Sequence, residues 1–105
     1  MIYNKLGTIV ICSEDKFFTI GDNIKVNKND EDYQGAIGYI TEIRTGDDKE
    51  TDNEGIDIHC SLSVPEGLVK TFEKRFSDIY GTKKTIDDII LDEVILSADM
   101  IDKIN

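Results

Sequence analysis

Over its first two thirds the chain alternates apolar and polar positions in short runs separated by turn residues, the pattern of strands. Residues 7–12 are a short apolar run, followed by a polar turn at 13–16. Phe17, Phe18, Thr19 and Ile20 lead into a second turn at Gly21-Asp22-Asn23, after which Ile24-Lys25-Val26 alternates. Residues 27–32 carry no apolar side chain and read as a loop tip. The clearest strand spans 35–44, with Ile37, Tyr39, Thr41 and Ile43 on one face and Ala36, Gly38, Ile40, Glu42 and Arg44 on the other. Gly35 and Gly38 within it point to a bulge or sharp bend. Residues 45–55 are the most polar stretch and read as a mobile hairpin loop. The run 56–62 then alternates, with Ile56, Ile58, Cys60 and Leu62 facing inward.

The period changes after Ser63. Ser63 and Glu66 have capping-box spacing and Pro65 suits a first helical turn, so a helix is predicted over about 65–80. Leu68, Val69, Phe72, Phe76, Ile79 and Tyr80 form its apolar stripe, and Gly81 ends it. Glu66–Lys70 and Lys74–Asp78 are spaced as i,i+4 pairs. Thr85 to Asp88 can cap a further short turn. The segment 91–97 is read as the last strand on its Val-Ile-Leu content, although a helix from Thr85 also fits the spacing, and 97–101 as a closing turn.

Residues 18–26 followed by 33–43, with Gly21-Asp22 before one strand and Gly35-Ala36-Ile37-Gly38-Tyr39-Ile40 forming the next, resemble the first half of a small SH3-like β-barrel of the KOW or Tudor-like kind. The resemblance covers under a third of the chain. It implies a mainly β (α+β) single domain, 1–105: a partly open barrel of about five strands with one amphipathic helix inserted before the last strand. KOW-type barrels meet RNA through basic loops, whereas the corresponding loops here carry Asp30, Glu31, Asp32, Asp47, Asp48, Glu50, Asp52 and Glu54, which repel phosphate. Tudor-like barrels bind methylated side chains in aromatic cages. Phe17, Phe18, Tyr33 and Tyr39 are the aromatics such a cage would draw on, but strand aromatics are usually core.

Composition narrows the functional classes. The chain has 105 residues, 22 acidic and 12 basic side chains, one His and a formal charge of −10. That balance opposes direct nucleic-acid binding. No run approaches the roughly 20 apolar residues of a membrane span, and the N-terminal residues lack a signal peptide's apolar core, which implies a cytoplasmic protein without membrane contact. The abundance of Ile, Lys, Asn and Asp beside scarce Ala and Pro fits an AT-rich bacterial or phage genome. Cys12 and Cys60 read as two buried thiols in a reducing compartment, with a disulfide between neighbouring strands as the alternative.

Candidate chemistry is sparse. His59 and Cys60 are adjacent and face opposite sides of a strand, so they form no dyad, while Cys12 with His59 stays geometrically open. Asp30-x-Asp32-x-Gln34-Gly35 echoes an EF-hand start, but the twelfth position is Thr41 and the flanks read as strands. Asp87-Asp88 and Asp92-Glu93 are paired carboxylates that fit a solvated edge. We therefore expect no enzymatic activity, cofactor or metal. Charge placement says more: only 67–84 is net positive, through Lys70, Lys74, Arg75, Lys83 and Lys84, against acidic neighbours. The expected role is a protein-interaction or accessory module, with Tyr33, Tyr39, Lys70, Lys74, Arg75 and Tyr80 as candidate partner-binding residues and another protein, or a second copy, as partner. The alternative is an acidic inhibitor that mimics nucleic acid.

Overall fold

A computed structural model describes residues 1–13 and 15–104. The strands are β1 (Ile2–Tyr3), β2 (Ile9–Ser13), β3 (Lys16–Thr19), β4 (Asn23–Val26), β5 (Ile37–Arg44), β6 (Asp57–Ser63), β7 (Val94–Leu96) and β8 (Ile101–Lys103). One α-helix, α1 (Val69–Tyr80), lies between β6 and β7. All pairings are antiparallel. The larger sheet runs β7-β6-β5-β4-β8 with β1 added to β5, and β2 with β3 forms a separate two-stranded sheet. Neither sheet closes on itself. Among the described residues, no helix is long and apolar enough to cross a membrane.

Strand β5 is the spine. It pairs with β4, β6 and β1, and Ile40 exchanges backbone hydrogen bonds with Gly21 and Asp22, which ties the β2–β3 hairpin to the larger sheet. The register to β6 shifts between Ile40 and Glu42, leaving Thr41 as an extra residue whose hydroxyl donates to the His59 carbonyl at 3.1 Å. This bulge changes which residues face the core. Before it the even positions Ala36 and Ile40 are buried; after it the odd Ile43 is. The predicted face of Ile37, Tyr39, Thr41 and Ile43 is thus broken, because period-2 alternation reverses phase at each bulge, and Ile37 and Tyr39 lie outside. The inward set of β6 holds, with Ile58, Cys60 and Leu62 buried and Ile56 half-buried, but Asp57 and His59 on its other face are buried too, so the alternation of burial does not.

Phe18, Ile24, Val26, Ile40, Ile43, Ile58, Cys60, Phe72 and Ile101 make the centre of the core. At about 1.5–3 kcal/mol for each large apolar side chain buried, this cluster is the main source of stability. The helix joins it through Phe72 and Phe76, and ends at Gly81, which adopts φ +70 as the predicted C-terminal glycine. Its start differs from the prediction. Ser63 is the last residue of β6, Glu66–Leu68 is a turn of 3-10 helix, and no side chain caps the start of α1. The capping box occurs instead at Thr85 and Asp88, on a 3-10 turn at Ile86–Asp88, and the backbone N–H of Ile86 also donates to Glu73 at 2.8 Å. The strand expected over 91–97 is the shorter β7.

Three expectations at the edges are corrected. The helix does not precede a single final strand, because Ile101–Lys103 continues past the 3-10 turn at Ala98–Met100 and pairs with β4 as β8. The N-terminal residues 2–3 also form a strand. The loop 45–55 is not a free tip: it begins with a 3-10 turn at Gly46–Asp48 and is tied to the buried Asp57. The turn expected at 13–16 separates β2 from β3, and its Glu14 lies outside the described residues.

Gly38 sits where β5 and β6 approach most closely: a Cβ there would collide with the Ser61 carbonyl and lie 2.9 Å from Leu62 Cα. Backbone cannot yield as a side-chain tip can. Gly38→Ala is expected to cost about 1–3 kcal/mol, lowering the thermal midpoint by at least about 4 °C. Gly67→Ala, where a Cβ meets nothing within 4 Å, is the control and should leave the midpoint nearly unchanged in the same melting experiment.

Candidate functional site

The surface at the end of α1 draws together several of the residues singled out above. Helical spacing puts Phe72, Phe76, Ile79 and Tyr80 on one side of α1. Phe72 and Phe76 enter the core, but the last turn overhangs it, so Ile79 is half-exposed and Tyr80 is 60% exposed. Tyr33, from the loop between β4 and β5, packs its ring 5.3 Å from Phe76, which stacks in turn 6.4 Å from Tyr80. The Tyr33 hydroxyl donates to the Ile90 carbonyl at 2.8 Å, bringing the 70% exposed Ile90 to the same aromatic row. Burial, then the neighbouring Tyr80, Asp30 and Asp32, push the Tyr33 phenol above its ordinary pKa, so it stays a neutral hydrogen-bond donor. Lys84 lies over the Tyr80 ring at 5.0 Å. Ile79 and Tyr80 on the last turn of α1 and Ile90 beyond the Tyr33 hydroxyl are thus exposed apolar side chains, with Lys84 over the Tyr80 ring.

The other candidates divide. Arg75 is a clamp between elements: its Nη1 donates to the carbonyls of Asp32 and Gln34 at 2.9 and 3.1 Å, and its guanidinium covers Phe72 at 4.5 Å. Lys74 pairs with Asp78 at 3.2 Å as predicted, an exposed contact of small energetic weight. Lys70 is exposed on the first turn of α1. Tyr39 is not brought to this surface. It lies on the outer face of β5, in a shallow groove with Asn23, Ile37, Gly38, Ser63 and Ile104. Ile79 and Ile90 were not singled out as surface residues. The one signal for Ile79 is the length of the helical stripe, which exceeds what the core covers, and Ile90, beyond the helix, has none.

The acidic loops are occupied by structural work. The Asp57 carboxylate accepts from the backbone N–H groups of Glu50 and Thr51 at 2.7 and 3.0 Å and from the Thr51 hydroxyl, with Lys49 4.0 Å away. Burial pushes this carboxyl up, but the donors and the lysine together outweigh burial and hold it below its ordinary value. Arg44 links the same loop through Glu50 and β5 through Glu42, both at 2.8 Å. Asp30, in the stretch that echoes an EF-hand, accepts from the Tyr33 N–H in a loop flanked by β4 and β5.

His59 and Cys60 lie on opposite sides of β6. His59 is cross-strand from Glu42 and Ile95, is almost wholly buried, and both its ring nitrogens lack hydrogen-bond partners among the described residues. Cys60 is inside the core, and burial pushes its thiol up to about 12. Cys12 is a half-buried free thiol beside a cleft of about 550 Å³ lined by residues of 53–56 and 97–99, among which His59 does not figure. No protein-family model, curated protein or solved structure matches this chain.

Two outcomes follow from these positions. Because the Asp57 carboxyl is held below its unfolded value, its stabilisation is complete at neutral pH and is lost as pH falls through 3.8 and then through the folded value. Asp57→Ala should cost about 2–3 kcal/mol at pH 7, and the gap between variant and wild type should narrow in acid denaturation series below about pH 4. A small neutral alkylating reagent should label Cys12 in the folded protein and Cys60 only after denaturant unfolds it, read by peptide mass spectrometry.

Proposed function

We propose that this chain is a non-enzymatic interaction module, an accessory protein of the bacterial or phage cytoplasm, that binds another protein through the surface at the end of α1. The observation that carries the reading is the Tyr33–Phe76–Tyr80 aromatic row, which ends in the exposed Tyr80 under Lys84, with Ile79 exposed on the same turn and Ile90 exposed where its carbonyl meets the Tyr33 hydroxyl. Exposed aromatic and branched side chains next to a rigid aromatic support are what binding hot spots are made of. The partner such a surface fits presents an apolar anchor flanked by carboxylates. The SH3-like reading of the scaffold draws support from the bulged β5, which bends the sheet, and from the β2–β3 hairpin hung from Ile40. Several side chains that could do chemistry serve the fold: Cys60 packs in the core, Asp57 holds a loop, and Glu73 holds the turn at Ile86.

The second reading, an inhibitor that mimics nucleic acid, needs rows of free carboxylates. Here Glu42, Glu50, Asp57, Asp78, Asp88 and Asp99, six of the 22 acids, accept hydrogen bonds or ion pairs within the chain and are committed to the fold. The exposed end of the aromatic row at Tyr80 favours the interaction module. Capture from lysate on the immobilised protein, eluted stepwise with salt, separates the two. A partner that resists high salt and is lost on both Tyr80→Ala and Ile90→Ser is the expected result. A nucleic-acid-binding protein released at moderate salt and indifferent to both substitutions would overturn it.

A further inference from the structure

The free edge of β2 is a second unpartnered surface, on a different element from the one just described. Ile20 N–H donates to the Thr8 carbonyl at 2.9 Å, which makes Thr8 and Ile20 a hydrogen-bonded pair and, two residues on, Val10 and Phe18 another. Ile9 and Ile11 therefore occupy the intervening positions, opposite Thr19 and Phe17, and their N–H and carbonyl groups point away from β3. Among the described residues, β2 pairs with no strand but β3. The side chains at these positions are also open: Ile9 is 62% and Ile11 75% exposed, with Phe17 half-exposed beside Ile11 and Leu6 exposed at the strand's start. A strand edge with unpaired backbone and apolar side chains is a template for another strand.

We infer that β2 pairs antiparallel with β2 of a second copy of this chain, about a two-fold axis through Val10. Two observations select this occupant. The first is self-complementarity. That register sets Ile9 against Ile11 of the second copy and Ile11 against its Ile9, so the outward backbone groups of both residues find partners, as an isologous interface requires. The second is charge. The chain carries −10 overall, yet residues 6–13 have no charged side chain, so two copies meet here without like-charge contact. The same register brings the Lys5 end of one strand towards the Asp15 end of the other. Edge pairing of this kind joins backbone groups and covers only the flanks of Ile9 and Ile11, so the pair buries less than the roughly 1,000 Å² of a stable specific interface. The dimer is accordingly a weak one, and its four-stranded sheet leaves the α1 surface free.

Sedimentation velocity from about 1 µM to about 1 mM chain tests this. The expected result is a concentration-dependent monomer–dimer equilibrium. Ile9→Lys and Ile11→Lys, both at solvent-facing positions, should each weaken it by roughly tenfold or more, with circular dichroism confirming that the variants fold. Lys5→Glu should weaken it, and adding Asp15→Lys should restore it. Tyr80→Ala should leave it unchanged, which keeps this test distinct from that of the α1 surface. A monomer throughout the range, or a dimer that neither isoleucine substitution weakens, would overturn the inference. Failure of the double charge swap to restore association would overturn the antiparallel register.

Discussion

The bulge at Thr41 is the constraint on which the rest of this fold depends. Strand β5 is bonded to β4, β6 and β1 directly and, through Ile40, to Gly21 and Asp22 in the connection from which the β2–β3 hairpin hangs. A regular strand of that length would put Ile40 and Ile43 on opposite faces. The extra residue turns both inward and lets one strand contribute to the core at each end. It also explains why Ile37 and Tyr39 lie outside. Gly38 makes the arrangement feasible, because the β6 backbone passes where a Cβ would stand.

Around this spine the polar residues serve as fasteners. Five of the 22 acids accept from backbone N–H groups that strands and short 3-10 turns leave unpaired. Asp22 accepts from Thr19, Asp30 from Tyr33, Asp57 from Glu50 and Thr51, Glu73 from Ile86 and Asp88 from Thr85. A chain with one α-helix, short strands and several 3-10 turns exposes many such donors, and short carboxylates are well suited to meet them. These five carboxylates are thus explained by architecture. Exposed apolar side chains remain at the end of α1, at the edge of β2 and in the groove of Ile37, Tyr39 and Ile104.

Much of the architecture was legible in the sequence for local reasons. The stripe of Phe72 and Phe76 and the inward set of Ile58, Cys60 and Leu62 follow from side chains of one element facing one core, whereas the burial of Asp57 and His59 on the other face of β6 left no mark in the alternation. Gly21 and Gly81 mark a turn and a helix end, since both adopt positive φ that other residues resist. The glycines of β5 signalled an irregularity but not its place, and a bulge one residue earlier or later reverses the inward set. The six candidate contact residues were legible only as types. Tyr33 and Tyr80 converge, Arg75 turns out to be a clamp, and Tyr39 lies on another face.

The sequence by itself determined the period of each main segment, the turns between them and the acidic balance, because these follow from neighbours a few residues apart. Tertiary structure alone decided that Ile2–Tyr3 and Ile101–Lys103 are strands, since neither has a pattern until β5 and β4 offer an edge to pair with. It decided that 45–55 is anchored, because the anchor is Asp57, a carboxylate whose burial is set by the loop it holds. It also decided which apolar residues stay outside. A hydrophobic side chain declares that it could be buried, but whether a core is close enough to receive it depends on the packing of every other element.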